Sequence, residues 1–256
     1  MFTIDINSDI GEGFGIYTIS RDGDIVRLIT SANIACGFHA GDPEQMFKTT
    51  EMCLKNGVAI GAHPGYPDLA GFGRRAIEMS RRNIRNMILY QVGALMAIAG
   101  ALGGRVEHVK PHGALYNTAF HNAETALAVI EAVGLLNGPA LVAPAGSVLA
   151  KTASEKGVRV IIEGFADRRY NPDGTLADRQ LPGAVITSPD QAAKHALQMV
   201  TQRTVSCLAG EELNINIDTI CIHGDNLHAV DILKAIRNIL IENKVDIAKH
   251  SKREHC

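Results

Sequence analysis

The sequence predicts an α/β fold in which seven parallel strands alternate with helices and close, or nearly close, into a β/α barrel. Three observations carry this. Seven short apolar runs each end in a polar turn rich in glycine or proline, and nearly all are followed by a segment of helical periodicity. No shift in composition marks a linker, so residues 1–256 are expected to form a single barrel domain, with 244–256 as a polar C-terminal tail. A chain of 256 residues, 46% of them hydrophobic, also matches the about 250 residues of a barrel better than an open doubly wound sheet.

Taken in order, Phe2 to Asn7 alternates and runs into Ser8-Asp9-Ile10-Gly11-Glu12-Gly13, a strand end presenting two carboxylates in a glycine-rich turn. The glycines at 11, 13 and 15 loosely resemble a phosphate loop, but no Lys-Ser/Thr follows. A helix is expected near Asp22 to Thr30. Asn33 to Cys36 is the second strand. Gly37 to Gly41 then turns into a helix capped by Asp42 with Pro43 at its first position, and the two glycines hold His39 at the mouth of the turn. Gly57 stops that helix after Asn56. Val58 to Ala62 is the third strand, ending in His63-Pro64-Gly65, and the loop from Leu69 to Arg75 carries Arg74 and Arg75.

Ser80 caps a long helix with apolar residues at Ile84, Met87, Ile88, Val92, Leu95 and Met96, closed by Gly103-Gly104. The fourth strand, Arg105 to Val109, ends in Lys110-Pro111-His112-Gly113. A helix from Ala123 to Val133 leads to a fifth strand at Ala140 to Ala143 and a short helix ending at Lys156. Val158 to Ile162 is the sixth strand, followed by Glu163 to Tyr170. The turn-rich loop from Asn171 to Gly183 is long enough to be a lid or binding loop. After a helix from Pro189 to Arg203, Ile217 to Ile222 is the seventh strand, ending in His223-Gly224-Asp225-Asn226 before a helix from Leu227 to Glu242.

The formal charge of -2 leaves no basic stripe for nucleic acid. The five cysteines form no CxxC pair and fit reduced, buried thiols. Asp5 and Asp9 stand where a signal peptide would be basic and then apolar. The most apolar helix, Tyr90 to Leu102, has too short an apolar run to span a bilayer. A cytoplasmic protein with no membrane partner is expected.

Asp9, Glu12, His39, Asp42, His63, Lys110, His112, Asp167, Arg168, His223 and Asp225 all follow strands at their C-terminal ends. In a barrel those ends converge on one face, where the chemistry of such folds sits. Singly, each has a plainer role: Asp42 and Asp225 as helix caps, His63 as a hydrogen-bonded core residue, Arg74 and Arg75 as a solvated pair, Cys36 and Cys221 as small core residues. Convergence is what outweighs those roles. Two uses remain open. Asp9, His39 and His63 supply a carboxylate and two imidazoles for a divalent metal such as zinc. Alternatively the same residues act as acid and base around a polarised carbonyl, with Lys110 or Arg168 holding an anionic group.

The segments DINSDIGE, ANIACGFHAGDP, GAHPGYPDLAGFGRR, VKPHGALYN, GFADRRY and CIHGDN, in this order, resemble the LamB/YcsF family from Asp5 to about Asn226. The family pattern carries cysteine where Ser8 stands and serine where Gly65 stands, and neither change removes an ionisable group. The resemblance implies a distorted, TIM-like barrel similar to that of polysaccharide deacetylases. It implies one subunit of a three-component 5-oxoprolinase, which cleaves 5-oxo-L-proline to L-glutamate with ATP and water, ATP being shared with two partner subunits. No GxxxxGK[ST] occurs, in keeping with ATP activation from a partner. On the strand-end cluster, Asp9, Glu12 or Asp42 is the expected base for the attacking water, and His112 or His39 the acid for the ring nitrogen. His63, Lys110, Arg168, His223 and Asp225 are expected around the substrate. The alternatives are a metal-dependent deacetylase of N-acetylated sugars, needing neither ATP nor partners, and a non-catalytic binding subunit.

Overall fold

The computed structural model of the chain describes residues 2–250. In chain order its elements are β1 (Thr3–Ile10), α1 (Asp22–Ile25), β2 (Ser31–Ala35), α2 (Pro43–Lys55), β3 (Ala59–His63), α3 (Arg81–Ala101), β4 (Val106–Val109), α4 (Gly113–His121), α5 (Ala123–Leu136), β5 (Ala140–Pro144), α6 (Val148–Glu155), β6 (Val160–Phe165), α7 (Pro189–Thr201), β7 (Thr204–Ser206), β8 (Glu212–Asn214), β9 (Thr219–His223), α8 (Ala229–Glu242) and β10 (Asp246–Ile247). Strands β1, β2, β3, β4, β5, β6 and β9 pair in that order, all parallel, and β9 pairs back onto β1. The barrel is closed with seven strands, as expected.

Helix starts follow local chemistry. Asp42 accepts hydrogen bonds from the Glu44 and Gln45 amides, Ser80 from Asn83, Asn122 from Thr125, Ser147 from Ala150, and Ser188 from Gln191. The apolar core lies between helices and sheet. Along β1 the even residues Ile4, Ile6 and Ile10 are buried among hydrophobic neighbours, whereas Asp5, Asn7 and Asp9 hydrogen-bond to residues of other barrel strands. Period-two alternation thus sends one face to the helices and the other into the barrel.

Several boundaries differ from expectation. β1 continues to Ile10, so Asp9 sits on the strand itself, and β6 runs from Val160 to Phe165, which brings Glu163 onto it. α1 is a single turn rather than reaching Thr30, and the Asp22 carboxylate at its start accepts hydrogen bonds from the Gly11 amide and the Ser20 hydroxyl. The segment after His112 is the helix α4, whose Leu115, Tyr116 and Ala119 are buried. β7 and β8 form an antiparallel hairpin where no strands are expected.

The segment 244–256 starts as part of the fold: Val245 is buried and β10 pairs in parallel with β1 at Thr3 and Ile4. Residues 251–256, with His255 and Cys256, lie outside the described residues. Contrary to the expectation of too short an apolar run, α3 is long and apolar enough to cross a membrane by length and composition. One face, with Ile84, Ile88, Val92 and Leu95, is buried in the core, and the helix packs on α2 and α5.

Candidate active site

The inward residues stack in layers from the bottom of the barrel upward. Asp5 accepts hydrogen bonds from Thr30 and Ser31 on one carboxylate oxygen and from Thr219 on the other. Above it, Asn7 donates to Thr219 (2.8 Å) and to Glu163 Oε1 (3.1 Å), and accepts from Asn33 (2.7 Å). Asn33 also donates to Asp9 Oδ1 (2.8 Å) and accepts from His108 Nε2 (2.8 Å). The top layer holds Asp9, His63, Lys110 and Cys221. A barrel interior filled by polar groups is stable only when each has partners, and these do.

Lys110 is the hub of the top layer. Its Nζ lies 3.0 Å from Asp9 Oδ1, 2.9 Å from Glu163 Oε1 and 3.0 Å from Cys221 Sγ. Burial works against its charge, but Asp9, Cys221 and Glu163 hold its pKa well above that of a free lysine. Burial likewise opposes charge on Asp9, yet His63 and Lys110 hold that carboxyl well below the usual range. Burial, then the nearby Asp9 and Asp225, pushes Glu12 the opposite way, well above it. Two carboxyl groups are thus held in different states by their surroundings. Burial also pushes the Cys221 thiol well up, which makes it a neutral neighbour rather than a nucleophile.

Above this layer opens a cavity of about 650 Å³, lined by Asp9, His63, Lys110, His112, Glu163, Arg168 and His223 among others. Residues 173–180 of the long loop form one wall. His223 Nδ1 lies 3.0 Å from the Asp167 carboxylate, which orients the ring at the cavity wall. Despite burial, His223 holds the Asp167 carboxyl below its ordinary range. Arg168 is 6% exposed, with Nη2 bonded to the Ala177 carbonyl (2.6 Å) and a buried Nε that has no partner. Burial and the neighbouring Arg179 bring its pKa down to about 10. Two adjacent guanidinium groups at a cavity wall attract an anion.

Of the residues expected at the site, Asp9, His63, Lys110, His112, Arg168 and His223 line this cavity. Glu12 and His39 lie next to His112 without lining it. Asp42 is elsewhere engaged: Oδ1 caps α2 and Oδ2 accepts from the Gly15 amide at 2.7 Å. Asp225 does not cap α8 but pairs with Arg74 at 2.5 Å, and Arg75 pairs with Asp68, so neither arginine is merely solvated. Of the expected metal trio, Asp9 is tied to Lys110 and Asn33 through Oδ1 and its Oδ2 lies 3.5 Å from His63 Nε2, while Glu12 meets His39 at 3.4 Å and His112 at 3.7 Å. Glu163, Asn33, Tyr116, Arg179 and His108 were not expected there. Placing the sixth strand's end at Ile162 puts Glu163 in the following turn, although a carboxylate within two residues of a glycine at a strand end is the signal that marks Asp9.

The chain matches the LamB/YcsF family over residues 4–255. A 5-oxoprolinase component from Heliobacterium modesticaldum is 52% identical over 236 residues, covering 91% of this chain and 92% of its own. The crystal structure of a lactam utilization protein from Thermus thermophilus superposes with a TM-score of 0.91 at 42% identity, covering 96% of this chain and 99% of that one. A polysaccharide deacetylase from Bacillus cereus shares the fold alone, with a TM-score of 0.50 at 12% identity, covering 100% of this chain and 96% of that one. With a match spanning nearly the whole chain and close relatives of equal length, the protein belongs to the LamB/YcsF family.

Proposed function

We propose that the chain is the lactam-handling subunit of an ATP-dependent 5-oxoprolinase that converts 5-oxo-L-proline to L-glutamate. The observation that carries this is the pairing of an anion-seeking wall, Arg168 with Arg179, and an ionised carboxylate, Asp9, across one closed-barrel cavity. The names of the relatives support the substrate and a multisubunit assembly.

A five-membered lactam is an unstrained amide, so its carbonyl carbon needs activation. Phosphoryl transfer from ATP to the lactam oxygen supplies it; water then adds to that carbon, and the C–N bond breaks as the ring nitrogen takes up a proton. The acyl phosphate left behind hydrolyses to glutamate and phosphate. Here Arg168 and Arg179 hold the substrate carboxylate, Asp9 takes the proton of the attacking water, and His223, oriented by Asp167, delivers a proton to the nitrogen. Lys110 keeps Asp9 ionised and oriented. ATP activation is shared with two partner subunits. The exposed Ile16, Tyr17 and Leu227, on the loops after β1 and β9, give a partner an apolar rim beside the mouth. The four free, buried cysteines among the described residues suit a reducing, cytoplasmic setting.

The test is glutamate release from 5-oxo-L-proline with ATP, by the chain alone and mixed with its two partner subunits. Activity is expected only in the mixture, and Asp9→Asn should lower it by about 10²–10⁴ with the circular dichroism unchanged. Near-normal turnover by Asp9→Asn would remove the base assignment. A verified mixture that releases no glutamate, with acetate released from N-acetylated sugars by the lone chain, would overturn the reading as a whole.

A further inference from the structure

Four side chains from four consecutive strand ends meet beside the cavity, two of them behind its wall: Glu12 after β1, His39 after β2, His63 on β3 and His112 after β4. One donor atom of each lies within 4.8 Å of the others. Backbone hydrogen bonds fix the protons on two of the rings. His63 Nδ1 is 2.7 Å from the Lys110 carbonyl oxygen, which only accepts, so Nδ1 carries the proton and Nε2 is a bare lone pair. His112 Nε2 is 2.8 Å from the Phe72 carbonyl oxygen, so by the same argument its Nδ1 is bare. These two bare nitrogens face each other at 3.0 Å.

Lone pairs at that distance repel unless a cation lies between them. A proton would make one ring an imidazolium; Asp9 Oδ2, 3.5 Å from His63 Nε2, would face it, but His112 and His39 are buried there and crowded by other imidazoles. A metal ion instead gains further donors. Glu12 Oε1 lies 3.4 Å from His39 Nε2 and 3.7 Å from His112 Nδ1, and the His39 ring stacks on His112 at 3.6 Å, within 5° of parallel. Three imidazole nitrogens and a carboxylate oxygen are a zinc-type donor set. Tetrahedral zinc with bonds of 2.0–2.1 Å sets its nitrogens about 3.3 Å apart, a few tenths from the separation found. The Lys110 and Phe72 carbonyls are the outer contacts that orient such ligands.

We propose that Glu12, His39, His63 and His112 form a site for one divalent cation of the zinc type, open to the cavity through His63 and His112. A neighbouring group, Asp9 with Cys221 and His223, is the competing location, but the Lys110 ammonium already stands between Asp9 and Cys221. The inference does not depend on the lactam reading, because the ion is measured on the chain by itself.

The experiment dialyses the purified full chain against Zn²⁺, Co²⁺ and Mn²⁺ in turn and determines metal content by elemental analysis. The visible spectrum of the cobalt form is recorded alongside. Stoichiometric uptake is expected, with a tetrahedral cobalt band and no thiolate charge-transfer band. His63→Ala and Glu12→Gln should each weaken calorimetric binding by at least the about 10–100-fold that loss of an outer partner costs. His195→Asn, a buried histidine elsewhere, should leave it unchanged. Substoichiometric uptake of all three ions, a thiolate band that places the ion at Cys221, or binding untouched by both substitutions would each overturn the site. Should either variant misfold, absence of the wild-type cobalt band alone decides against it.

Discussion

Replacing Lys110 by methionine keeps the length of the side chain and removes its charge from between two carboxylates. Asp9 Oδ1 and Glu163 Oε1 lie 3.0 and 2.9 Å from Nζ, and all three groups are buried. At an effective dielectric of about 20, each pair at this distance attracts by roughly 5–6 kcal/mol, against a desolvation cost of several kcal/mol for each ion. The pairs are thus near balance with water, but removing one partner leaves the others buried and uncompensated, which costs about 3–5 kcal/mol. Lys110→Met should therefore lower the unfolding free energy by that amount in urea titrations at neutral pH. Lys110→Met combined with Glu163→Gln should cost less than the sum of the single changes, with a coupling of about 1–3 kcal/mol. A loss below about 1 kcal/mol, or additivity within about 0.5 kcal/mol, would refute the view that Lys110 neutralises this layer.

Two further outcomes test the scaffold. Burial pushes the His195 pKa down to about 4. The unfolded chain, titrating near pH 6.5, then binds the proton first, so the stability His195 contributes is complete above about pH 6.5 and is lost as pH falls toward 4. At about pH 4.5 the loss is roughly 2.5 kcal/mol, and His195→Asn should flatten the stability profile by that much in paired urea titrations; parallel profiles for the two proteins would refute it. A Cβ on Gly61 would stand 1.9 Å from His108 Nε2, the atom that bonds Asn33 at 2.8 Å. Gly61→Ala should cost about 1–3 kcal/mol or more and lower the melting temperature, and an unchanged melting temperature would mean that His108 does not fill the barrel axis.

What the sequence exposed and what it hid follow from the range of the forces involved. Strand-turn-helix punctuation is local: Gly57 after α2, Asp42 with Pro43 before it and Ser80 before α3 mark element ends within a few residues. Seven such units close into a barrel whichever residues fill it, so the architecture was legible. The strand-end histidines were legible too, because each sits within two residues of a glycine or proline that advertises a turn. Residues whose role depends on a partner far along the chain were not. Glu163 gains its role from Asn7 and Lys110, and Asn33 from Asp9 and His108, partners that no window of the sequence brings together. Asp42 shows the local case: a strand-end carboxylate that caps α2 through Oδ1 and accepts the Gly15 amide through Oδ2.

The polar interior links these points. His250 at the base lies 3.3 Å from His108 Nδ1, His108 bonds Asn33, and Asn33 bonds Asp9, so an unbroken run of hydrogen bonds climbs the barrel to the cavity floor. Each member has its orientation set by the next: the Asn33 carbonyl oxygen requires a proton on His108 Nε2, and its amide must then point at Asn7 and Asp9. An apolar filling would pack a barrel of this size equally well. It would leave Asp9 held by Lys110 alone, free to rotate between Nζ and His63. The column fixes which Asp9 oxygen faces Lys110 and which faces the cavity side at His63, 3.5 Å away. Preorganisation of one carboxylate is the physical reason for burying so many polar groups beneath it.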